Sequence, residues 1–248
     1  MQLKELCEFC DEYLKVDDFN DYCPNGLQVE ANPNVEHIVC GVTASLALIE
    51  AAVEQGADTL LVHHGYFWKG ESQAISGYKG RRIASLIRNE INLLAYHLPL
   101  DAHPEVGNNV QLAKVMDWHL SGSGGEQGLL FEGKTAQPQS LAELTRELET
   151  RLDTTSLAIP GGDHQVERIA WCTGAAQGFI EAAAALGVDA FVSGEISEPS
   201  FHLARELGLH YIAAGHHATE RFGVQALAAE IANRFTVRQQ FIDIANPV

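Results

Sequence analysis

One segment of this sequence recurs 131 residues further along the chain without a gap. The shift brings Ile38 onto Ile169, Gly56 onto Gly187 and, near the end of the segment, Asp58 onto Asp189. Both copies contain an aliphatic run, a stretch with helical spacing of apolar residues, and a second aliphatic run. A strand, a helix and a strand in this order imply parallel pairing. We therefore expect an α/β fold of two similar domains related by internal duplication, with residues 36–64 and 167–195 as equivalent β-α-β units.

A second match, at a shift of 119, relates the predicted strand before His97 to the predicted strand before His216. The same shift places Asp101 on Glu220. Each half of the chain then offers a histidine that is followed four residues later by a carboxylate. The two copies are expected to place similar side chains at the carboxyl ends of equivalent strands.

A glycine- and serine-rich stretch near the middle of the chain predicts the domain boundary. Residues 121–128 include four glycines and two serines, a composition typical of flexible linkers. We predict a first domain over residues 1–124, with the HHG and HxxxD motifs, and a second over residues 125–248, with the GHHxxE motif.

Charge and composition disfavour several classes of partner. The net charge of −17 disfavours nucleic acid and anionic membranes as partners, because both require a basic surface. No apolar run is long enough to span a membrane, and the first residues of the sequence lack the apolar block typical of a signal peptide, so we expect a cytoplasmic protein. The five cysteines are then expected to be free thiols. The C-x-x-C of Cys7 and Cys10 fits a buried helix face better than a redox or zinc site.

Two adjacent histidines, His63 and His64, directly follow an aliphatic run and precede Gly65. Neighbouring side chains of a regular strand point to opposite faces, so both can reach one cleft only if the strand ends there. A glycine is a typical end of a strand. Ligands of open α/β sheets bind beyond the carboxyl ends of strands, which predicts a site here. The alternative is a surface turn that happens to hold two histidines.

Histidines and acids follow three of the predicted strands, and this pattern suits a metal site. His216 and Glu220 share a face on the first turn of a predicted helix, whereas His97 and Asp101 have the same spacing in a proline-interrupted segment. For either pair alone, the alternative is an ion pair or a cap. Imidazole and carboxylate ligands suit zinc, iron, manganese, cobalt or nickel. The set exceeds the needs of one catalytic ion and suits two divalent ions that share carboxylates, about 3.5–4 Å apart.

Four segments carry a resemblance to a known family: YCPNGLQVE at 22–30, HHGYFWKG at 63–70, HLPLD at 97–101 and GHHATER at 215–221. They resemble the NIF-three-like family of dinuclear-metal proteins, whose members are often called GTP cyclohydrolase 1 type 2 homologues. The resemblance spans nearly the whole chain and is strongest to the short bacterial members.

The resemblance implies a NIF-three-like fold, a ring-shaped homohexamer with metal sites facing its interior, and two metal ions per subunit. It also implies five metal ligands, which are His63, His64, Asp101, His216 and Glu220. His97 belongs to the same motifs, and we expect it to support the ligands. The resemblance does not fix the reaction.

We expect a metal-dependent hydrolase that acts on a small molecule, in the cyclohydrolase case a purine nucleotide. An acidified water between two cations would act as the nucleophile, and His97, His103 or Glu195 could move protons. Trp68 could stack on a base and Lys69 could meet a phosphate, although loop packing or a subunit contact explains Trp68 equally well. The alternative function is a metal-binding regulator, metal chaperone or scaffold without catalysis.

The ligands are expected to divide between the two ions. Adjacent imidazoles cannot easily reach one small ion, so His63 and His64 are predicted to bind different ions. A carboxylate has two oxygens and can bridge, which makes Asp101 and Glu220 the candidate bridges. His216 then completes the shell of one ion.

Overall fold

The computed structural model describes residues 1–248. Its helices are α1 (Leu3–Leu14), α2 (Leu46–Glu54), α3 (Gly77–Arg88), α4 (Leu98–Ala102), α5 (Asn108–Val115), α6 (Leu141–Leu152), α7 (Ile180–Ala185), α8 (Glu198–Glu206) and α9 (His216–Arg234). Its strands are β1 (Gly26–Val29), β2 (His37–Thr43), β3 (Thr59–His64), β4 (Asn92–Ala95), β5 (His119–Gly124), β6 (Leu130–Gln139), β7 (Leu157–Ile159), β8 (Val166–Cys172), β9 (Ala190–Ser193), β10 (His210–Ala213) and β11 (Arg238–Phe241). Short 3-10 turns occupy Val16–Asp18, Glu126–Gly128 and Gln177–Phe179.

The chain forms two compact units, and each is described by itself. The first unit comprises Met1–Gly107 and Gly223–Ala245, and the second comprises Asn108–Phe222 and Asn246–Val248. The predicted domains 1–124 and 125–248 therefore need correction. The glycine- and serine-rich stretch is not a linker, because its first half lies in β5, which pairs antiparallel with β6, and Glu126–Gly128 form a 3-10 turn. Nearly all of β5 is exposed, which explains why small polar residues are tolerated there.

The first unit is a five-stranded sheet with helices on both faces. The strand order is β1-β4-β3-β2-β11; only β1 runs antiparallel to its neighbour. Successive residues of β2 point to opposite faces: Ile38 packs with α1 and the later turns of α9, whereas Val39 packs with α2 and α3. Such two-sided burial explains why these strands are continuously aliphatic.

The second unit holds a six-stranded mixed sheet in the order β5-β6-β8-β9-β10-β7. Its central strands β8, β9 and β10 are parallel, and the flanking pairings are antiparallel. Its core packs Trp171 of β8 against the buried face of α6, which presents Leu144, Leu148 and Leu152. Sequence analysis did not assign β5, β6, β7, α6 or α8.

The duplication predicted from the 131-residue shift is confirmed by strand register. In the first unit Ile38 pairs with Thr59, and in the second Ile169 pairs with Ala190, a shift of 131 for both partners. The predicted equivalence also holds for the loops, because the Asp58 carboxylate accepts hydrogen bonds from backbone N–H groups of residues 36 and 37. Asp189 accepts the same two bonds from residues 167 and 168.

The second equivalence needs a correction of one residue. Asn92 pairs with Thr59, and His210 pairs with Ala190. Since Thr59 corresponds to Ala190, the strands that precede His97 and His216 are related by a shift of 118 rather than 119. His97 is then equivalent to Gly215. The two histidine-x-x-x-acid motifs are therefore offset by one position.

Two further expectations concern the cysteines and membranes. All five cysteines are free thiols, as predicted. Cys10 lies on the buried face of α1 and Cys7 beside it, half-buried. Burial raises the pKa of the Cys7 thiol to about 11, so this thiol is weakly reactive at neutral pH. No helix of the chain has both the length and the apolar character that crossing a bilayer requires.

Candidate metal centre

The first group of candidate ligands lies at the carboxyl ends of β3 and β4. His63 is fully buried, and its Nδ1 lies 2.8 Å from the backbone oxygen of Tyr96. Its Nε2 lies 3.4 Å from Oδ1 of Asp101, a nearly buried carboxylate on α4. The carbonyl accepts a hydrogen bond from the Nδ1–H group, which fixes the tautomer and makes Nε2 the nitrogen that can bind a metal.

His64 ends β3 and lies beside His63, with ring centroids 4.6 Å apart. Both rings therefore reach one region, as predicted for a strand that stops at Gly65. A Cβ atom at Gly65 would lie 2.6 Å from the Cβ of Ala95, which cannot rotate away, so the turn needs glycine. Nδ1 of His64 lies 3.3 Å from the hydroxyl of Thr43.

His97 lies beside His63 and His64, and its ring contacts the carboxylate of Asp21, which was not predicted from the sequence. Its Nδ1 lies 2.9 Å from Oδ1 of Asp21. Burial disfavours the charged form of Asp21. Hydrogen bonds from His97, Asn25 and the Leu98 backbone, together with the charge of His97, outweigh burial and lower the pKa of the Asp21 carboxyl to about 2. His63, His64 and His97 offer ring nitrogens that all lie within 4.8 Å of one another.

The structure does not bring His103 into this group. Its Nε2 lies 3.1 Å from the backbone oxygen of Tyr13, and its Nδ1 accepts two backbone N–H bonds from residues 105 and 106. Burial lowers the pKa of the ring. Because both nitrogens are engaged with backbone, the geometry gives His103 a structural role.

The second group of candidate ligands lies in the second unit, where α9 follows β10. His216 and Glu220 lie one helical turn apart, with Nε2 and Oε2 separated by 3.0 Å. On its other side, Nδ1 of His216 lies 2.6 Å from Oε1 of Glu195. Glu195 was predicted as a possible proton carrier, and its contact shows how it orients His216. Burial opposes protonation of His216, but both carboxylates favour it and raise its pKa to about 9.

Gly174 shapes the space around Glu220 and was not identified from the sequence. Its φ is +69°, and a Cβ atom here would lie 2.0 Å from Oε1 of Glu220 and 3.2 Å from Nε2 of His216. The backbone of the loop after β8 thus approaches both candidate ligands closely. Only glycine permits this approach.

The donor set of each unit fits a divalent metal ion. Each histidine of the two groups has its Nδ1 against an oxygen: a carbonyl for His63, a hydroxyl for His64, and carboxylates for His97 and His216. Metal-binding histidines characteristically show this arrangement, which orients the ring and leaves Nε2 to the metal. Two nearly buried carboxylates, Asp101 and Glu220, add the negative charge that a buried cation requires.

Comparison with known proteins identifies the family of this chain. The family model Duf34/NIF3 (NGG1p interacting factor 3) matches residues 1–247. The chain belongs to the Duf34/NIF3 family. A Pseudomonas aeruginosa relative named "GTP cyclohydrolase 1 type 2 homolog" is 52% identical over 248 residues, which cover 99% of this chain and 98% of the relative. A protein of the same name from Escherichia coli K12 is 49% identical, with both chains fully covered.

Solved structures confirm the family fold. The structure described as "protein ybgI, unknown function" has a TM-score of 0.97 and 48% identity, with full coverage of both chains. A Thermus thermophilus protein superimposes with a TM-score of 0.91 at 37% identity, again over both full lengths. The α/β Duf34/NIF3 fold of two duplicated units is therefore established for this chain.

Proposed function

We propose that this Duf34/NIF3 protein binds two divalent metal ions per subunit and is a metal-dependent hydrolase of the cyclohydrolase type. Its substrate class is a purine nucleotide or a related small molecule. The proposal rests on His63, His64, His97 and His216, whose Nδ1 atoms all lie against oxygens, as is characteristic of metal-binding histidines. The names of the bacterial relatives favour the cyclohydrolase reaction.

The residues that would hold the ions are His63, His64 and Asp101 in the first unit, with His216 and Glu220 in the second. That both groups serve one pair of ions stays a prediction from the family resemblance. A bound divalent ion supplies Lewis acidity, which polarises an oxygen of the substrate and makes water more acidic.

The protein's own residues hold protons at defined atoms around these ligands. The Tyr96 carbonyl keeps a proton on Nδ1 of His63, and the Asp21 carboxylate does the same for His97. Glu195 accepts from Nδ1 of His216 and is a half-buried carboxylate. It is therefore the residue best placed to take up a proton next to the second group, whereas Asp21 has its oxygens occupied by hydrogen bonds.

A turnover assay with matched histidine variants tests this proposal. Purified protein loaded with zinc, manganese, iron, cobalt or nickel is incubated with a panel of purine nucleotides. We expect turnover that a chelator abolishes and metal restores. His63→Ala should lose metal and turnover, whereas the matched control His202→Ala, an exposed histidine on α8, should retain both.

Stoichiometric metal without turnover on any nucleotide would contradict the hydrolase and support the rival function, a metal-binding regulator, chaperone or scaffold. Full metal retention in His63→Ala would contradict the site itself. The ring-shaped homohexamer belongs to the same proposal, and light scattering should give the mass of six chains.

A further inference from the structure

We infer that the loop after β3 is a preorganised recognition element in which Trp68, together with Tyr22, stacks on the planar heteroaromatic ring of the ligand. This inference rests on the proposed function and names the part of the substrate that the first unit recognises. It concerns residues 65–72 and the exposed aromatic surface beside the candidate histidines.

The aromatic surface is continuous with the histidine group. The Trp68 ring lies 5.0 Å from the ring of His97 in an edge-to-face arrangement and 5.9 Å from that of His64. Tyr22 lies 5.4 Å from His97 and 6.3 Å from Trp68. Although it touches these rings, Tyr22 is 54% exposed. An exposed tyrosine beside a group of potential metal ligands is a surface on which an aromatic ring can stack.

The loop that presents Trp68 is held in an unusual backbone conformation. Phe67 has a φ of +65°, in the left-handed region that non-glycine residues seldom adopt. The Glu71 carboxylate accepts backbone N–H bonds from Phe67 at 3.0 Å and from Trp68 at 3.2 Å. The indole N–H of Trp68 donates to the backbone oxygen of Gly65 at 3.2 Å, which fixes the plane of the ring.

A buried lysine secures this conformation from α3. Lys79 is only 4% exposed. Its ammonium lies 3.6 Å from the Glu71 carboxylate, donates to the backbone oxygen of Ser72, and lies 5.5 Å from the centre of the Phe67 ring. Burying a lysine is costly unless such partners compensate. A buried ion pair and a residue with a strained backbone thus hold one surface loop in a single conformation. Proteins use such strain where a loop must be preorganised for a ligand.

The chemistry of the loop defines the ligand class. Two aromatic faces beside imidazoles recognise a flat, conjugated ring, and stacking tolerates several bases because each has a π-face. We therefore expect purine nucleosides to bind through the ring, with or without a phosphate. Ribose 5-phosphate, which lacks the ring, should not bind.

Intrinsic fluorescence provides the test, since Trp68 is half-buried while Trp118 and Trp171 lie in the core of the second unit. Guanosine and adenosine are titrated into metal-loaded protein, with ribose 5-phosphate as the control ligand. We expect both nucleosides to quench the emission and the control to leave it unchanged. The quenching should vanish in Trp68→Phe, which removes the reporter but keeps a stacking ring, while calorimetry still detects binding.

Variants separate stacking from structure. Trp68→Leu and Tyr22→Leu should each weaken nucleoside binding about tenfold, the effect of losing about 1.4 kcal/mol of stacking. Tyr78→Leu is the matched control, because Tyr78 is an equally exposed tyrosine of the same unit, on α3. Metal content should be unchanged in all three.

The outcomes distinguish this inference from the proposed function. Nucleoside binding that depends on Trp68 without any turnover would sustain the recognition loop and contradict the hydrolase. Turnover with an unchanged KM in Trp68→Leu would support the hydrolase and contradict the recognition loop. The inference is overturned if no nucleoside binds metal-loaded protein, if ribose 5-phosphate binds equally well, or if Tyr78→Leu weakens binding as much as Tyr22→Leu.

Discussion

Substituting alanine for Gly174 should disable the second group of ligands without unfolding the protein. Gly174 has a φ of +69°, and a Cβ atom there would lie 2.0 Å from Oε1 of Glu220. Glu220 is 2% exposed, so its carboxylate has little room to retreat. The added methyl group therefore pushes directly on a candidate metal ligand.

The size of the effect follows from two separate terms. An alanine in the left-handed region costs about 1–2 kcal/mol of stability, whatever its surroundings. A carbon and an oxygen tolerate a separation of about 3 Å at least, so the carboxylate must also move by about 1 Å. Metal ligands keep their bond lengths within about 0.2 Å. We expect metal affinity to fall about 10- to 100-fold, the usual result of disturbing the support of a ligand.

Gly208→Ala is the matched control. Gly208 has a φ of +66° in the same unit, but a Cβ atom there would meet nothing within 4 Å. Urea denaturation of the metal-free proteins should show a similar backbone cost in both variants, with an additional loss in Gly174→Ala from the displaced carboxylate. Competition with a fluorescent chelator should show weakened metal binding only in Gly174→Ala. Wild-type affinity in Gly174→Ala would refute the reasoning, because it would mean that Glu220 is not a ligand or moves freely.

Three further results are expected. By mass spectrometry, Glu220→Ala should lose nearly all metal and His64→Ala mainly one ion, because a carboxylate can bridge and an imidazole cannot; equal losses would contradict this division. At about pH 7.5, calorimetry in two buffers should detect proton release on metal binding, because the metal-free His216 has a pKa of about 9, and Glu195→Gln should reduce it. Burial lowers the pKa of His210 in the native state, so below about pH 6.5 this histidine binds a proton more readily in the unfolded chain. The free energy of unfolding should therefore fall as the pH drops below about 6.5. Urea midpoints should show a smaller fall in His210→Gln than in His202→Gln; an unchanged fall would contradict this origin.

Local sequence patterns predicted the first unit well because its elements are stabilised by local signals. Ser45 precedes α2 and is a residue type that favours the N-cap position, and its hydroxyl accepts the backbone N–H of Leu48 at 3.2 Å. The aliphatic runs that predicted β2 and β3 are buried on both faces. Where side-chain periodicity and capping agree, local sequence determines the element.

The prediction of the domain boundary was wrong because the boundary depends on long-range strand pairing. Strand β11 near the end of the chain pairs parallel with β2, beginning with Arg238 and His37. No local sequence pattern predicts that a strand pairs with another strand about two hundred residues away. Similarly, an exposed edge strand and a flexible linker share the composition of small polar residues seen in β5.

The residues that orient the candidate ligands were the hardest to predict. Asp21 lies in a segment that reads as a turn, and its contact with His97 spans 76 residues. Gly174 matters because of Glu220, which is distant in sequence. A ligand is recognised by its chemistry, but a residue that supports it is recognised only by proximity in the fold.

The one-residue correction to the internal repeat changes how the two groups of ligands compare. In the shared register, His97 matches Gly215, and the backbone agrees: Asp101 N–H donates to the His97 oxygen as Thr219 N–H donates to the Gly215 oxygen. Asp101 and Glu220 are therefore not equivalent positions, although both follow a histidine by four. His64, by contrast, matches Glu195 in the shared 131-residue register. A candidate ligand in one unit thus corresponds to the residue that orients a candidate ligand in the other. The duplication therefore gives the two units equivalent strand ends, but the side chains at these strand ends differ in position and role.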